Sequence, residues 1–139
     1  MDKSLLDTDI FSEFPKTRNP TVQRHAETYR RLHGLFTVSV VTVMEMVRGL
    51  HKAHRHAAIQ ALLPSLVTEE ILHFDPIAAE LAGKIYTDLE RTGQPIGWSD
   101  TVIAAIAMRH GLELVTGNTA HYERIQRLGY PLVQVKWRL

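Results

Sequence analysis

Four oxygen-bearing side chains stand where short apolar runs meet the starts of helices: Asp7, Glu45, Asp100 and Asn118. Asp7 closes the run Ser4-Leu5-Leu6. Glu45 lies one or two turns into a helix that follows Phe36-Thr37-Val38-Ser39, Asp100 opens the helix before Leu114-Val115-Thr116, and Asn118 follows that last run. If the runs are parallel strands, their carboxyl ends face one crevice, and the four groups can converge although they are far apart in sequence. Three carboxylates and an amide oxygen make a hard oxygen site that suits Mg²⁺ or Mn²⁺ with several waters left in the shell. Such an ion lowers the pKa of water, orients a phosphodiester and offsets charge on the leaving oxygen. No side-chain nucleophile is then required. The chain has no cysteine, which removes disulfides, thiolate zinc sites and cysteine nucleophiles.

Each residue also has a purely structural reading. Asp7 could be an Asx-turn or helix cap. Thr42-Val43-Met44-Glu45 fits a capping box, in which Glu45 returns to a backbone N–H. Asp100 after Ser99 could complement the positive end of a helix dipole, and Asn118 after Gly117 could be a turn residue. Among eight histidines, His51, His54 and His56 cluster, but on a continuous helix His56 falls on another side and no acid lies among residues 48–56 to complete a zinc site. With Arg48, Lys52 and Arg55 they form a basic segment that could meet RNA phosphates or remain a solvated face. Tyr122 and Ile125, at helical spacing after Asn118, read as packing residues, while His121 and Tyr122 could also steer a nucleotide.

The elements that must position these groups alternate. After Ser4–Leu6, Asn19-Pro20 caps a helix that Gly34 stops; Phe36–Ser39 reads as a strand, and Val43, Met44, Val47 and Leu50 continue at helical spacing. Residues 57–66 form another helical face whose end Pro64 makes uncertain. Ile71–Phe74 reads as a third strand, and Asp75-Pro76 caps a helix in which Ile77, Leu81, Ile85 and Leu89 recur every four residues. Ser99 is expected to cap a helix through Val102–Ala107, with Gly111 as its stop; Leu114–Thr116 and Leu132–Val135 supply the last two strands. This order implies right-handed βαβ units and a three-layer α/β fold around a mostly parallel sheet.

Bulk properties narrow the function classes. At 139 residues one domain spanning 1–139 is expected, and 45% hydrophobic with 22% charged residues matches a globular core rather than a disordered chain. No apolar stretch approaches the ~20 residues that cross a bilayer, and acids interrupt the first ten residues where a signal peptide would be apolar, so a cytoplasmic location is expected. A net charge of +1 is no nucleic-acid signature by itself, so any RNA or DNA affinity must come from local patches.

The segments LLDTDI, TVMEMVRG, GWSDTVIAAIA and LVTGNTAHYERI, in this order and at these separations, closely resemble the four motifs of PIN-domain ribonucleases, specifically VapC-type toxins of type II toxin–antitoxin pairs. The resemblance runs over essentially the whole chain. It implies a five-stranded parallel sheet covered on both sides and an Mg²⁺- or Mn²⁺-dependent endoribonuclease. It also implies a cognate VapB-type antitoxin, an RNA substrate with tRNA among the candidates, and a homodimer. On that reading Asp7, Glu45 and Asp100 are the acidic site residues. Asn118 stands where many PIN domains carry a fourth acid, supplying oxygen without charge to the metal. The rival from another class is a catalytically weakened PIN-like module that binds RNA or protein. Asp7-Thr8-Asp9 also suggests the aspartyl nucleophile of haloacid-dehalogenase-type phosphatases, but Phe11 stands where that motif wants Thr or Val, and a late pair of acids is missing.

Overall fold

In the computed structural model, which describes residues 1–138 except 15 and 17, five short strands form one parallel sheet in the order β3-β2-β1-β4-β5. They are β1 (Ser4–Leu6), β2 (Thr37–Ser39), β3 (Glu70–Leu72), β4 (Glu113–Val115) and β5 (Gln134–Val135). The sheet is parallel throughout. The helices are α1 (Thr8–Phe11), α2 (Pro20–His33), α3 (Val40–Lys52), α4 (His56–Leu66), α5 (Pro76–Arg91), α6 (Trp98–Arg109) and α7 (Thr119–Arg127). The chain winds outward from β1 to β2 and β3, then returns to the other side of β1 for β4. That reversal opens a crevice at the carboxyl ends of β1 and β4, where a parallel sheet places its ligands.

Alternation along the strands builds two cores, one on each face. Leu5 and Leu114 pack with Ala78, Ala82, Ile85, Ile103 and Ile106, from α5 and α6. Their neighbours Leu6 and Val115 point the other way, into a cluster with Ile10, Val22, Tyr29, Phe36, Val38 and Trp137. The helical layer over the first face includes α6, whose residues Thr101 to Ala107 are all buried. A helix apolar all round belongs in an interior, and its alanines let neighbours approach. On the second face the Tyr29 hydroxyl accepts from Ser4 N and donates to Ser4 O, both at 3.1 Å, so a buried strand start keeps its backbone partners.

Local signals hold at several boundaries. Asn19 Oδ1 accepts from Thr21 N and Val22 N to start α2, and Gly34, at φ 78°, stops it in the left-handed region open to glycine. Asp75 Oδ1 accepts from Ala78 N at 2.8 Å to start α5. Other expectations are corrected. The cap of α3 is Ser39, whose Oγ accepts from Thr42 N at 3.2 Å, so Thr42 and Glu45 make no capping box. Gly97, not Ser99, precedes α6, and no side chain caps it. Pro64 sits inside the last turn of α4 rather than ending it, where it removes one N–H without breaking a continuing ladder. The histidine segment is not one helix: α3 ends at Lys52, His54 takes φ 55° and α4 begins at His56, which brings the His51 and His56 rings to 6.4 Å.

Trp137, beyond the last strand, is 2% exposed and lies parallel to the Phe14 and His25 rings at centroid distances of 6.0 and 5.7 Å. Trp137→Ala should therefore lower stability by about 3–5 kcal/mol, read as a reduced urea midpoint with an unchanged slope.

Candidate active site

The acids converge through hydroxyl groups, not directly. Asp7 follows β1, and its backbone N–H donates to Val115 O across the sheet at 2.9 Å. That pairing turns its carboxylate, only 4% exposed, toward the end of β4. Oδ1 accepts from Thr8 N at 2.8 Å and so caps α1. Oδ2 accepts from the Thr116 hydroxyl at 2.8 Å and the Tyr122 hydroxyl at 3.0 Å. The helix-cap reading of Asp7 is thus realised without excluding the chemical one.

Tyr122 joins the second acid. Its hydroxyl lies 3.4 Å from Asp100 Oδ1, and burial, with Asp7 and Asp100 beside it, holds the phenol well above its ordinary pKa, so it remains a donor. Asp100 sits in the first turn of α6, where the helix N-terminus favours a negative charge. Its Oδ2 meets His121 Nδ1 at 2.7 Å and accepts from Asn118 Nδ2 at 3.0 Å. Asn118 therefore presents its amide nitrogen to the neighbouring acid. Its own N–H donates to Thr116 Oγ1 at 2.9 Å, so the turn after β4 is tied to the same hydroxyl that holds Asp7.

Glu45 reaches the site from α3. Thr8 Oγ1 donates to Glu45 Oε1 at 2.7 Å and lies 2.9 Å from Thr42 Oγ1. Since the single Thr8 proton goes to Glu45, Thr42 is the donor to Thr8. Thr8 thus serves Asp7 with its backbone and Glu45 with its side chain. Among the described residues no three acids or histidines already form a compact metal-ligand group. No lysine or arginine pairs with Asp7, Glu45 or Asp100 there either.

Sequence reasoning passed over Thr8, Thr116 and the Tyr122 phenol, and gave Asp9 no role of its own. Tyr122 carried a signal: a polar-tipped aromatic on the inward face of a helix directly after a site residue. Asp9 Oδ2 accepts from Gly117 N at 3.0 Å and lies 3.5 Å from Arg138 Nη1, while Oδ1 is buried with no partner among the described residues. Burial pushes the Asp9 carboxyl up. A Cβ at Gly117 would stand 2.7 Å from Asp9 Oδ2 and closer still to Arg138 Nη1, so the tips of both side chains would have to shift to admit one. A larger concavity of about 640 Å³ between Phe14, Ala26, Glu27, Arg30, Arg31 and Phe36 shares no lining residue with the acid cluster. Size does not mark the site in this protein.

Desolvation, then the charge of Asp9, push the Asp7 carboxyl from 3.8 up to about 6, against the opposing bonds from Thr116 and Thr8. Because the folded state holds this proton more tightly than the unfolded chain, the contribution of Asp7 to stability is fully present below its unfolded pKa. It is lost as pH rises through about 6. Two pKa units correspond to about 3 kcal/mol. Asp7→Asn, which gives up one acceptor to Thr8, should leave the metal-free protein about 1–2 kcal/mol more stable than wild type near neutral pH, with little gain at about pH 4. Urea melts of both proteins across that range check this difference.

Comparison with known proteins identifies the family and the fold. The PIN domain family model matches residues 4–128. The chain is 33% identical over 126 residues to the tRNA(fMet)-specific endonuclease VapC of Shigella flexneri, covering 90% of this chain and 93% of that one. It is 31% identical, over the same shares, to ribonuclease VapC2 of Haemophilus influenzae. Among solved structures, DNA-bound VapBC from Salmonella typhimurium superposes with a TM-score of 0.78 at 29% identity, covering 99% of both chains. A parallel sheet whose β1 and β4 ends gather acids in the order of the four sequence motifs is accounted for by descent: the chain belongs to the PIN domain family, in its VapC group.

Proposed function

We propose that residues 1–139 act as one PIN-like nuclease domain, a metal-dependent endoribonuclease that is the toxin of a toxin–antitoxin pair. In this reading Asp7, Glu45 and Asp100 are the acidic site residues and Mg²⁺ or Mn²⁺ is the cofactor. The observation that carries it is the single Tyr122 hydroxyl within 3.0 Å of Asp7 and 3.4 Å of Asp100, at the crevice where β1 and β4 end. The rival, a weakened binding module, has all three acids standing against it.

The donor set fits a hard divalent cation. Every candidate ligand atom is oxygen, and Asp7 is buried, raised by desolvation and by neighbouring carboxylates, and without a basic side chain to neutralise it. Mg²⁺ keeps several waters and takes one or two carboxylates, so Asp7 and Asp100 would hold it without a preformed cage, with Glu45 beside them and Asn118 Oδ1 at the fourth position. When bound, the ion supplies a Lewis acid that makes water more acidic and offsets charge on the scissile phosphate. The protein's own groups supply order. Thr116, Tyr122 and Thr8 fix Asp7, Asn118 and His121 fix Asp100 Oδ2, and Thr8 holds Glu45 Oε1. Glu45 Oε2, which has no hydrogen-bond partner among the described residues, would be the atom that takes a proton from water.

The 33% identity to a tRNA(fMet)-specific endonuclease supports RNA as substrate and initiator tRNA as the first to try. The likeness to a VapBC complex supports a cognate VapB-type antitoxin as partner; a homodimer as the active form is proposed from the family resemblance alone. No helix among the described residues is long and apolar enough to cross a membrane, and a tRNA substrate would place the action in the cytoplasm.

Asp7→Asn and Asp100→Asn should each abolish cleavage of initiator tRNA while the proteins stay folded by circular dichroism, and a chelator should silence wild type until Mn²⁺ is restored. Undiminished Mn²⁺-dependent cleavage by either variant would remove that residue from the site. Asn118→Asp places a second carboxylate against Asp100 Oδ2. The metal-free melting temperature should fall by a few degrees, with Mg²⁺ affinity raised and stability recovered on adding it. Calorimetric titration that finds no tighter binding and no recovery would leave Asn118 as a residue that only steers Asp100.

A further inference from the structure

The face of α3 that carries Glu45 does not end at the acid cluster. Thr42 and Glu45 both join Thr8, which fixes this side of the helix as the one turned to the site. Helical spacing then places Arg48, Gly49 and Lys52 on the same side, three, four and seven residues further on. Lys52 lies about 10 Å along the axis from Glu45, the reach of nucleotides flanking a scissile phosphate. Arg48, Gly49 and every residue from 51 to 57 are exposed.

Two features of this strip find no cause among the described residues. Residues 46–68 contain no Asp or Glu, and Arg48, Lys52 and Arg55 pair with no carboxylate among the described residues. Arg24, Arg31 and Arg91 likewise meet no carboxylate among the described residues, so what sets this strip apart is that its cations are consecutive along an acid-free stretch that starts at the site. Gly49 occupies the interior of α3, where glycine is disfavoured relative to alanine. No packing requires it, for a Cβ there would meet nothing within 4 Å. An exposed helical glycine between an acid of the site and an unpaired lysine lets another molecule approach the backbone closely. The break at His54, with φ 55°, turns the chain at the end of the strip and leaves Arg55 and His56 exposed beside it.

We propose that this face, Arg48–Gly49–Lys52 with the corner at Arg55, is the track on which the phosphate backbone of the substrate RNA lies as it leaves the acid cluster. The inference rests on the endoribonuclease reading. Cations contact phosphates without reading bases, so they position the strand while Asp7, Glu45 and Asp100 face the bond to be cut. The acids alone repel RNA; a row of unpaired cations starting one turn away draws the strand past them.

The test measures binding apart from chemistry. In an Asp100→Asn background, the affinity for an initiator tRNA transcript is followed by fluorescence anisotropy over a range of KCl. Arg48→Gln with Lys52→Gln should weaken binding at least tenfold at low salt and reduce the log–log salt slope by about 1.4, two contacts at about 0.7 each for a single strand. With Asp100 intact, the same pair should raise KM and leave kcat near wild type. Gly49→Ala should raise the melting temperature and yet weaken RNA binding, a combination that a merely structural glycine would not give. An RNA-binding chain whose affinity and salt slope ignore these changes overturns the track alone. A chain that binds no RNA at any salt overturns the ribonuclease reading with it. Loss of antitoxin binding or of dimer with RNA affinity intact assigns the strip to a protein partner and overturns the proposal.

Discussion

The burial of one carboxylate organises the rest of the structure. Asp7 is 4% exposed at the junction of β1 and β4, and an ion removed from water needs compensation from hydrogen bonds or opposite charge. This protein supplies donors: a backbone N–H from α1, the Thr116 hydroxyl from the end of β4 and the Tyr122 phenol from α7. Each comes from a different segment, so the group that costs most to bury also fixes the relative positions of the elements around it. The compensation is incomplete, as the raised Asp7 pKa shows, and the remaining deficit of positive charge is what makes the crevice suited to a cation.

A division of labour follows from this chemistry. Hydroxyl and amide groups, which cannot neutralise a carboxylate, hold the acids: Thr8 for Glu45, Tyr122 for Asp7 and Asp100, Asn118 for Asp100. The described cations are kept at one remove. Arg138 engages Asp9 and Glu13 rather than Asp7, and the tips of Arg138 and Asp9 lie over the bare Cα of Gly117. A guanidinium placed on Asp7 would satisfy the carboxylate and remove its use. Among the described residues the one basic group directly on the acid pair is His121, at Asp100, whose ring nitrogen can bond whether or not it carries charge.

The second face of the sheet supports this arrangement from below. Leu6 and Val115, the residues just before Asp7 and Thr116, are both fully buried in the cluster that Trp137 closes. Strands of only three residues cannot hold register by hydrogen bonds alone, and burial on both faces resists a one-residue slip, which would turn Leu5 and Leu6 to the wrong sides.

Much of this was legible in the sequence because it depends on local chemistry. Asn19-Pro20, Gly34 and Asp75-Pro76 mark helix ends through caps and fixed φ angles, and the alternation of short apolar runs with helical periodicity announces a parallel α/β sheet. The ordered acidic motifs marked Asp7, Glu45 and Asp100 because strand ends in such a sheet share one edge. The tertiary structure decided which atoms meet. Glu45 looked like half of a capping box until Ser39 took the cap and Thr8, 37 residues away, took Glu45. Tyr122 read as packing, correctly for its ring, yet its hydroxyl joins residues 115 and 22 positions earlier in the chain. Helical spacing reports which side of a helix is buried but not what its polar tips touch there. Those partners come from segments brought together only when the sheet closes, so no local pattern can encode them.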